Sequence, residues 1–267
     1  MTGIVIAAGR GVRMRPHTDE RPKCMLPING RPLLSLTLEA LRGAGCDRIV
    51  VVTGHLAKSI DAPGCALVHN TDYAQNNILH SLMFAREAFD DDLLVSYSDI
   101  VVEPSIHRTL VATAGDIVIA VDRDWRGYYE ARVGHPMTEA EKAYARVTGR
   151  ASGVVTALGK YLDAVDPPGS ICGEFIGLWK MSRAGAQQFK QCFDAIDARL
   201  ERVAPFRAAA SWREAYVTDL FTELLATGHE IRCALVERGW AELDVVEDYE
   251  RLPSMIESQR LVSLVAQ

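Results

Sequence analysis

Residues 4–27 read IVIAAGRGVRMRPHTDERPKCMLP. The apolar run Ile4 to Ala8 breaks at Gly9-Arg10-Gly11, so small residues stand where backbone can turn tightly and approach a ligand closely. Arg13 adds a planar fork of donors and Lys23 a compact charge. Arg10, Arg13, Arg15, Arg21, Lys23 and Arg31 stand against only Asp19 and Glu20 over residues 10–31, a local +4 in a chain of net charge −6. A basic island in an acidic chain suits a small polyanion and argues against a general nucleic-acid binder. The loop has neither the Gly-Lys-Ser/Thr of a Walker loop nor full dinucleotide-fingerprint spacing. No acidic residue closes the second strand, Val50-Val-Val-Thr-Gly54, which weighs against a dehydrogenase.

Four further patches carry chemistry. Tyr73-Ala-Gln-Asn-Asn-Ile-Leu-His-Ser-Leu82 holds Asn76 and Asn77, whose amides offer donor and acceptor to a base edge. An asparagine there also caps a following helix well, and both roles stay open. Ser98-Asp99 follows an apolar strand, and Asp244 lies in Glu242-Leu-Asp-Val-Val-Glu-Asp248. Gly159-Lys160 precedes Gly173-Glu174-Phe-Ile-Gly-Leu178. Residues 122–141 mix Trp125, Tyr128 and Tyr129 with Arg126, Arg132 and His135. The aromatics suit a cationic head group and the basic residues an anion, unless the loop simply packs its rings down and turns its charges out. The run Asp90 to Asp92 reads as a solvated charge cluster.

Gly-x-Gly-x-Arg-Met followed by Arg-Pro-Lys-x-Met-Leu-Pro resembles the signature of the sugar-phosphate nucleotidyltransferase superfamily. The 73–82 patch and the order of residues 122–141 resemble its phosphonate and phosphocholine cytidylyltransferase branch. The resemblance implies transfer of CMP from CTP to a small phosphonate or phosphomonoester, with release of pyrophosphate. It implies nucleotide contacts at Ala7, Ala8, Gly9, Gly11, Arg13, Asn76, Asn77, Ser81 and Ser98, with Arg13 on the triphosphate and Lys23 stabilising charge at the α-phosphorus. It further implies magnesium on Asp99 and Asp244, hard oxygen ligands that suit this ion. Ser98-Asp99 stands where many relatives have Asp-Gly-Asp or Glu-Asp, so one carboxylate is missing. Lys160 and Glu174 are implied on the acceptor, with Arg132, His135, Trp125 and Tyr128 at its far end. Arg126, Arg132 and His135 suit an anionic far end, as in phosphonoformate, and Asp124, Trp125 and Tyr128 an amine, as in 2-aminoethylphosphonate or phosphocholine. The expectation is a small phosphonate without a quaternary amine, of phosphonoformate, 2-aminoethylphosphonate or hydroxyethylphosphonate type. The rivals are a phosphocholine cytidylyltransferase, a hexose-1-phosphate nucleotidyltransferase and a nucleotide-binding regulator without turnover.

These residues need a scaffold. Apolar runs at Ile4–Ala8, Arg48–Thr53, Ala66–His69, Leu93–Ser96 and Asp116–Val121 alternate with helical spacing at Pro32–Ala44 and Asn77–Ala88. That order predicts an α/β fold: a Rossmann-like, mostly parallel sheet wrapped by helices, with an inserted acceptor-side or lid subregion over 122–181. Later strands are expected at Ala143–Val147, Gly153–Leu158, Phe175–Met181, Ile231–Val236 and Trp240–Leu243. Helices are expected at Gly185–Ala204, Glu214–Ala226 and from Val246. One domain over 1–267 is the expectation. Six scattered cysteines without a Cys-x-x-Cys pair, no apolar run of membrane length and no signal-peptide layout predict a cytoplasmic protein without a membrane partner. Homo-oligomerisation is not readable from the sequence.

Overall fold

The computed structural model describes residues 1–258 other than Ala131 and Val133; the end of the expected domain, 259–267, lies outside the described residues. The chain order is β1 (Thr2–Ala7), a short ribbon β2 (Pro27–Ile28) and β3 (Arg31–Pro32), α1 (Leu33–Gly43), β4 (Arg48–Thr53), β5 (Ala66–His69) and α2 (Ile78–Met83). Then come β6 (Leu93–Tyr97), β7 (Ile100–Val102), α3 (Pro104–Ala112) and β8 (Ile117–Asp122). The rest is β9 (Lys142–Gly149), β10 (Ser152–Gly159), β11 (Ile171–Met181), α4 (Arg183–Asp197), α5 (Val217–Ala226), β12 (Arg232–Val236), β13 (Trp240–Glu242) and α6 (Val246–Ser258).

Nine strands form one sheet in the order β5-β4-β1-β6-β11-β8-β12-β10-β9. The α/β class holds, but the sheet is mixed. Parallel pairing joins β5, β4, β1 and β6, and also β8 to β12. The pairings of β11 with β6, β8 and β9, and of β10 with β9 and β12, are antiparallel. The regular strand–helix rhythm stops at β8, so sequence order projected too much parallel character onto the second half.

Strand residues alternate between two cores. Ile4 and Ile6 join Val50, Val52, Ile117 and Ile119 beneath α2, α4 and α5. Val5 and Ala7 join Ile49, Val51, Val118 and Ala120 against α1 and α3. Burial on both faces explains why these strands read as continuous apolar runs. Helix α4 starts where Ser182 accepts from Gly185 N, and Pro104 opens α3, a helix unforeseen in the sequence. Helix α2 is shorter than expected, giving way to a tighter turn at Arg86–Asp90. The six cysteines are unpaired thiols, and no described helix is long and apolar enough to cross a membrane.

Strand β11 joins the two halves. Between its pairings Phe175↔Val121 and Trp179↔Ile119 the register slips, and Gly177 takes φ +76°. A Cβ at Gly177 would lie 2.4 Å from the Tyr97 ring, so this bulge needs glycine both for its dihedral and for the ring crossing it.

Candidate active site

The ends of β1 and β6 and the chain after β13 converge on one point. The loop after β1 turns at Gly11, φ +58°, whose carbonyl accepts from Met14 N at 2.9 Å and from the Thr18 hydroxyl at 2.8 Å. Thr18 is buried and was not singled out in the sequence. From this loop Arg13 Nη2 reaches Asp244 Oδ2 at 2.7 Å. Lys23 Nζ lies 2.9 Å from Asp99 Oδ2 and 3.1 Å from Asp244 Oδ1. Burial opposes the lysine's charge, but Asp99 and Asp244 outweigh it and hold the ammonium above its ordinary range. Burial likewise opposes ionisation of Asp244, and Lys23 and Arg13 outweigh it in turn. Glu242, close by, is pushed well above the usual carboxylate range by burial and by Asp244 and Asp99. Two carboxylates whose oxygens already converge on one cation are the hard donor set that a divalent ion takes, so these residues fit magnesium. His135, Glu242 and Asp244 also bring potential ligand atoms within 4.8 Å of one another.

Two cavities meet here. One, of about 490 Å³, is lined by Ala7, Ala8, Gly9, Gly11, Arg13, Asn76, Asn77, Ser81 and Ser98, with Lys23, Asp99 and Asp244 at its edge with the second. Every residue expected on the nucleotide is thus gathered at one cavity. Asn77 plays the capping role: its Oδ1 accepts from Ile78 N at 2.9 Å and its Nδ2 donates to Glu214 O at 2.9 Å. Its amide is therefore committed to structure. Asn76 instead pairs with Asn70, a fully buried side chain that sequence reading missed, with Asn70 Nδ2 to Asn76 Oδ1 at 2.9 Å.

The other cavity, about 290 Å³, shares Arg13, Lys23, Asp99 and Asp244 with the first and continues to His135, Glu139, Glu141, Lys160, Glu174, Tyr216 and Glu242. Lys160 Nζ lies 4.3 Å from the centroid of the Tyr216 ring. Glu141 accepts from the Thr218 hydroxyl at 2.8 Å and from Tyr97 at 3.2 Å. Burial raises its carboxyl, and Lys160 works against that rise. Burial pushes Glu174 up to about 8; the Tyr129 hydroxyl that donates to it pulls the other way, and Glu174 Oε2 has no hydrogen-bond partner. His135 lies 3.5 Å from Glu242 and 3.7 Å from both Glu139 and Asp244, its pKa lowered chiefly by burial. Arg13 Nη1 bonds Glu139 at 3.1 Å, tying the nucleotide loop to the acceptor side.

Three expected acceptor residues lie elsewhere. Trp125 is fully buried, its indole donating to Cys172 O at 2.9 Å. Tyr128 is buried against Trp240, and its hydroxyl accepts from Glu242 N at 2.8 Å. Arg132 makes two 2.8 Å bonds to Asp248 beneath the Tyr128 and Tyr129 rings. Asp248 Oδ2 in turn accepts from Asp244 N at 2.9 Å and Val245 N at 3.0 Å, so Arg132 braces Asp244 from behind. Arg126 points away to Asp166 and the Ala164 carbonyl. The segment packs its rings down because three large aromatics have an apolar core within reach, and Arg132 finds the buried Asp248 there while Arg126 pairs with the exposed Asp166. Tyr97 and Asn70 were missed because a lone tyrosine or asparagine carries no local signature; Glu141 and Glu242 lie inside chemistry-bearing stretches but were given no role at the site.

Comparison with known proteins agrees with this geometry. Residues 3–165 match the model of the MobA-like NTP transferase domain. The chain is 26% identical over 261 residues to the CTP:phosphoglutamine cytidylyltransferase of Campylobacter jejuni, covering 94% of this chain and 98% of that one. It is 30% identical to the CMP-5'-(3-aminopropyl)phosphonate synthase of Streptomyces rubellomurinus across 90% of its own length, but spans only 36% of that longer protein. The solved CTP:phosphocholine cytidylyltransferase of Streptococcus pneumoniae shares the fold, with TM-score 0.70 at 20% identity over 96% of this chain and 98% of that one. With residues 3–165, more than half of the chain, matching that model and cytidylyltransferases among the relatives, the chain is a nucleotidyltransferase and belongs to the MobA-like NTP transferase family.

Proposed function

We propose that this chain transfers CMP from CTP to a small phosphonate or phosphomonoester that also carries an amine, with magnesium as cofactor. One observation carries the amine: Glu139, Glu141, Glu174 and Glu242 surround the acceptor cavity, with Lys160 as the lysine beyond the shared seam. An expectation built on Arg126, Arg132 and His135 favoured an anionic far end; with both arginines turned away, the cavity's carboxyl side chains favour a cationic one, whose charge would draw the buried, protonated Glu174 and Glu242 into their ionised form. The cytidylyl and aminophosphonate names of the relatives support the same choice.

In this reading a phosphonate oxygen attacks the α-phosphorus, the bond to the β-phosphate's bridging oxygen breaks, and pyrophosphate leaves. The nucleophile is already anionic, a phosphomonoester's second pKa being about 6, so no general base is required. Arg13 binds the triphosphate, Lys23 meets the charge that develops on the transferred group, and Lys160 offsets the acceptor's anionic end. Magnesium, held by Asp99 and Asp244, would supply charge neutralisation to the phosphate oxygens.

The test is pyrophosphate release from each of four nucleoside triphosphates against 2-aminoethylphosphonate, phosphocholine, phosphonoformate and hexose 1-phosphates, with and without magnesium. CTP with an amine-bearing acceptor should lead. Equal use of GTP, or preference for phosphonoformate or a hexose 1-phosphate, would overturn the reading, and full activity in chelator would remove the metal from it.

A further inference from the structure

We infer that Asn70 is a positioning residue that fixes which way the Asn76 amide meets the base, and so helps to select it. This rests on the nucleotide reading above. Asn70 follows β5, has no exposed surface and does not line the nucleotide cavity.

Backbone groups set the polarity of its amide. A backbone N–H can only donate, and Asp72 N donates to Asn70 Oδ1 at 2.9 Å. Asn70 Nδ2 therefore faces the other way, donating to Asn76 Oδ1 and to Ser81 Oγ, each at 2.9 Å. Ser81 passes its own proton to the Asn77 carbonyl, a fixed acceptor, at 3.1 Å. Asn76 Nδ2 closes the ring by donating to Asn70 Oδ1 at 3.3 Å. Both ends of this chain of bonds are main-chain groups, so the Asn76 amide cannot turn over without breaking it.

The count of donors follows. An amide has two N–H donors; Asn76 gives one to Asn70, while its carbonyl faces Asn70 and Ser81. Asn76 lines the nucleotide cavity as well as a second cavity beside His80 and Arg202, and we assign its remaining N–H to the nucleotide side. Both bases offer an acceptor at O2, but N3 is an acceptor in cytosine and carries a proton in uracil. A donor fixed against N3 therefore discriminates between them, and an amide free to turn would not.

Asn70→Asp keeps the shape but removes the donor, so Asn76 turns its N–H inward and its carbonyl to the base. We expect the kcat/KM ratio of CTP to UTP to fall about tenfold or more, with CTP KM raised and acceptor KM unchanged. Asn70→Ala, which frees the amide instead of reversing it, should give a smaller fall. A merely structural role would lower turnover with both bases alike and leave the ratio unmoved, which would overturn the inference. Side-chain amide NMR of the unaltered protein covers the case in which neither variant folds. CTP should shift one Asn76 amide proton, while the Asn70 amide stays protected from exchange; an unshifted Asn76 or a freely exchanging Asn70 overturns it. Should the unaltered enzyme prefer UTP, the cytidylyl reading fails, and Asn70 is still judged on whether its replacement moves the base ratio.

Discussion

The wall of the nucleotide cavity is built largely from two short stretches, residues 6–13 and 73–81, and works through backbone turns, amides and Arg13. The acceptor wall draws Glu139, Glu141, Lys160, Glu174, Tyr216 and Glu242 from the loop before β9, the end of β10, β11, the start of α5 and β13. On the proposed reading, the ribose and triphosphate are common to all four ribonucleoside triphosphates, so contiguous backbone would suffice to recognise them. An acceptor's far end varies, and its recognition would fall to side chains drawn from separate elements. The contrast extends to sign: a basic loop on one side, an acidic wall on the other, meeting at Lys23, Asp99 and Asp244.

Breaking the support behind that seam should have the largest effect. Arg132→Met leaves Asp248 buried without its guanidinium partner and should cost about 3–5 kcal/mol of stability by denaturant melts. In the fraction that folds, KM for acceptor should rise no more than KM for CTP; a selective loss of acceptor would return Arg132 to the acceptor wall. Next comes Lys23→Ala, which should lower kcat by about a hundred- to a thousandfold while CTP affinity falls much less. Near-normal turnover with weak binding would contradict its place at the reacting phosphorus.

The acidic wall has its own signature in pH. Glu174 binds a proton in the folded chain up to about pH 8, whereas an unfolded glutamate releases it near 4.5. The folded state therefore holds more protons across that window, and stability should decline as pH rises through it, by at most about 1.4 kcal/mol per pH unit. Glu174→Gln should flatten that decline in the ligand-free protein, and an unchanged slope would show that Glu174 is already ionised there. The mildest change is Glu141→Gln, which should raise KM for an amine-bearing acceptor about tenfold with CTP KM unmoved. A matching rise for phosphonoformate would show that Glu141 reads no amine.

What could be read beforehand follows the same division. Gly11, Arg13, Lys23, Asn76 and Ser81 were legible because they sit in contiguous motifs at strand and helix ends. Asp99 and Asp244 were legible only by likeness to a family pattern, since an aspartate at a strand end is common. Strands β1, β4 and β6 announced themselves by apolar runs, but neither the antiparallel direction of β11 nor its register shift around Gly177 leaves a trace in periodicity. Trp125, Tyr128 and Arg132 misled because types suited to cation or anion binding serve equally well as a buried aromatic–arginine cluster. Asn70 had no local context to mark it, and Glu141 looked like a neutraliser of nearby arginines; their partners Asn76, Thr218 and Tyr97 become visible only in three dimensions.

The ion pair between Lys23 and Asp244 spans 221 residues of sequence. At synthesis rates of about 5–20 residues per second, the ribosome needs roughly 10–45 s to add the aspartate after the lysine. Throughout that interval the growing chain holds the glycine loop and, later, Asp99, but not the second carboxylate of the seam. A chain interrupted before β13 would carry the nucleotide loop without a complete catalytic centre. On the proposed reading, pyrophosphate release would come only from chains whose synthesis has passed Asp244, because shorter ones lack the second carboxylate of the seam.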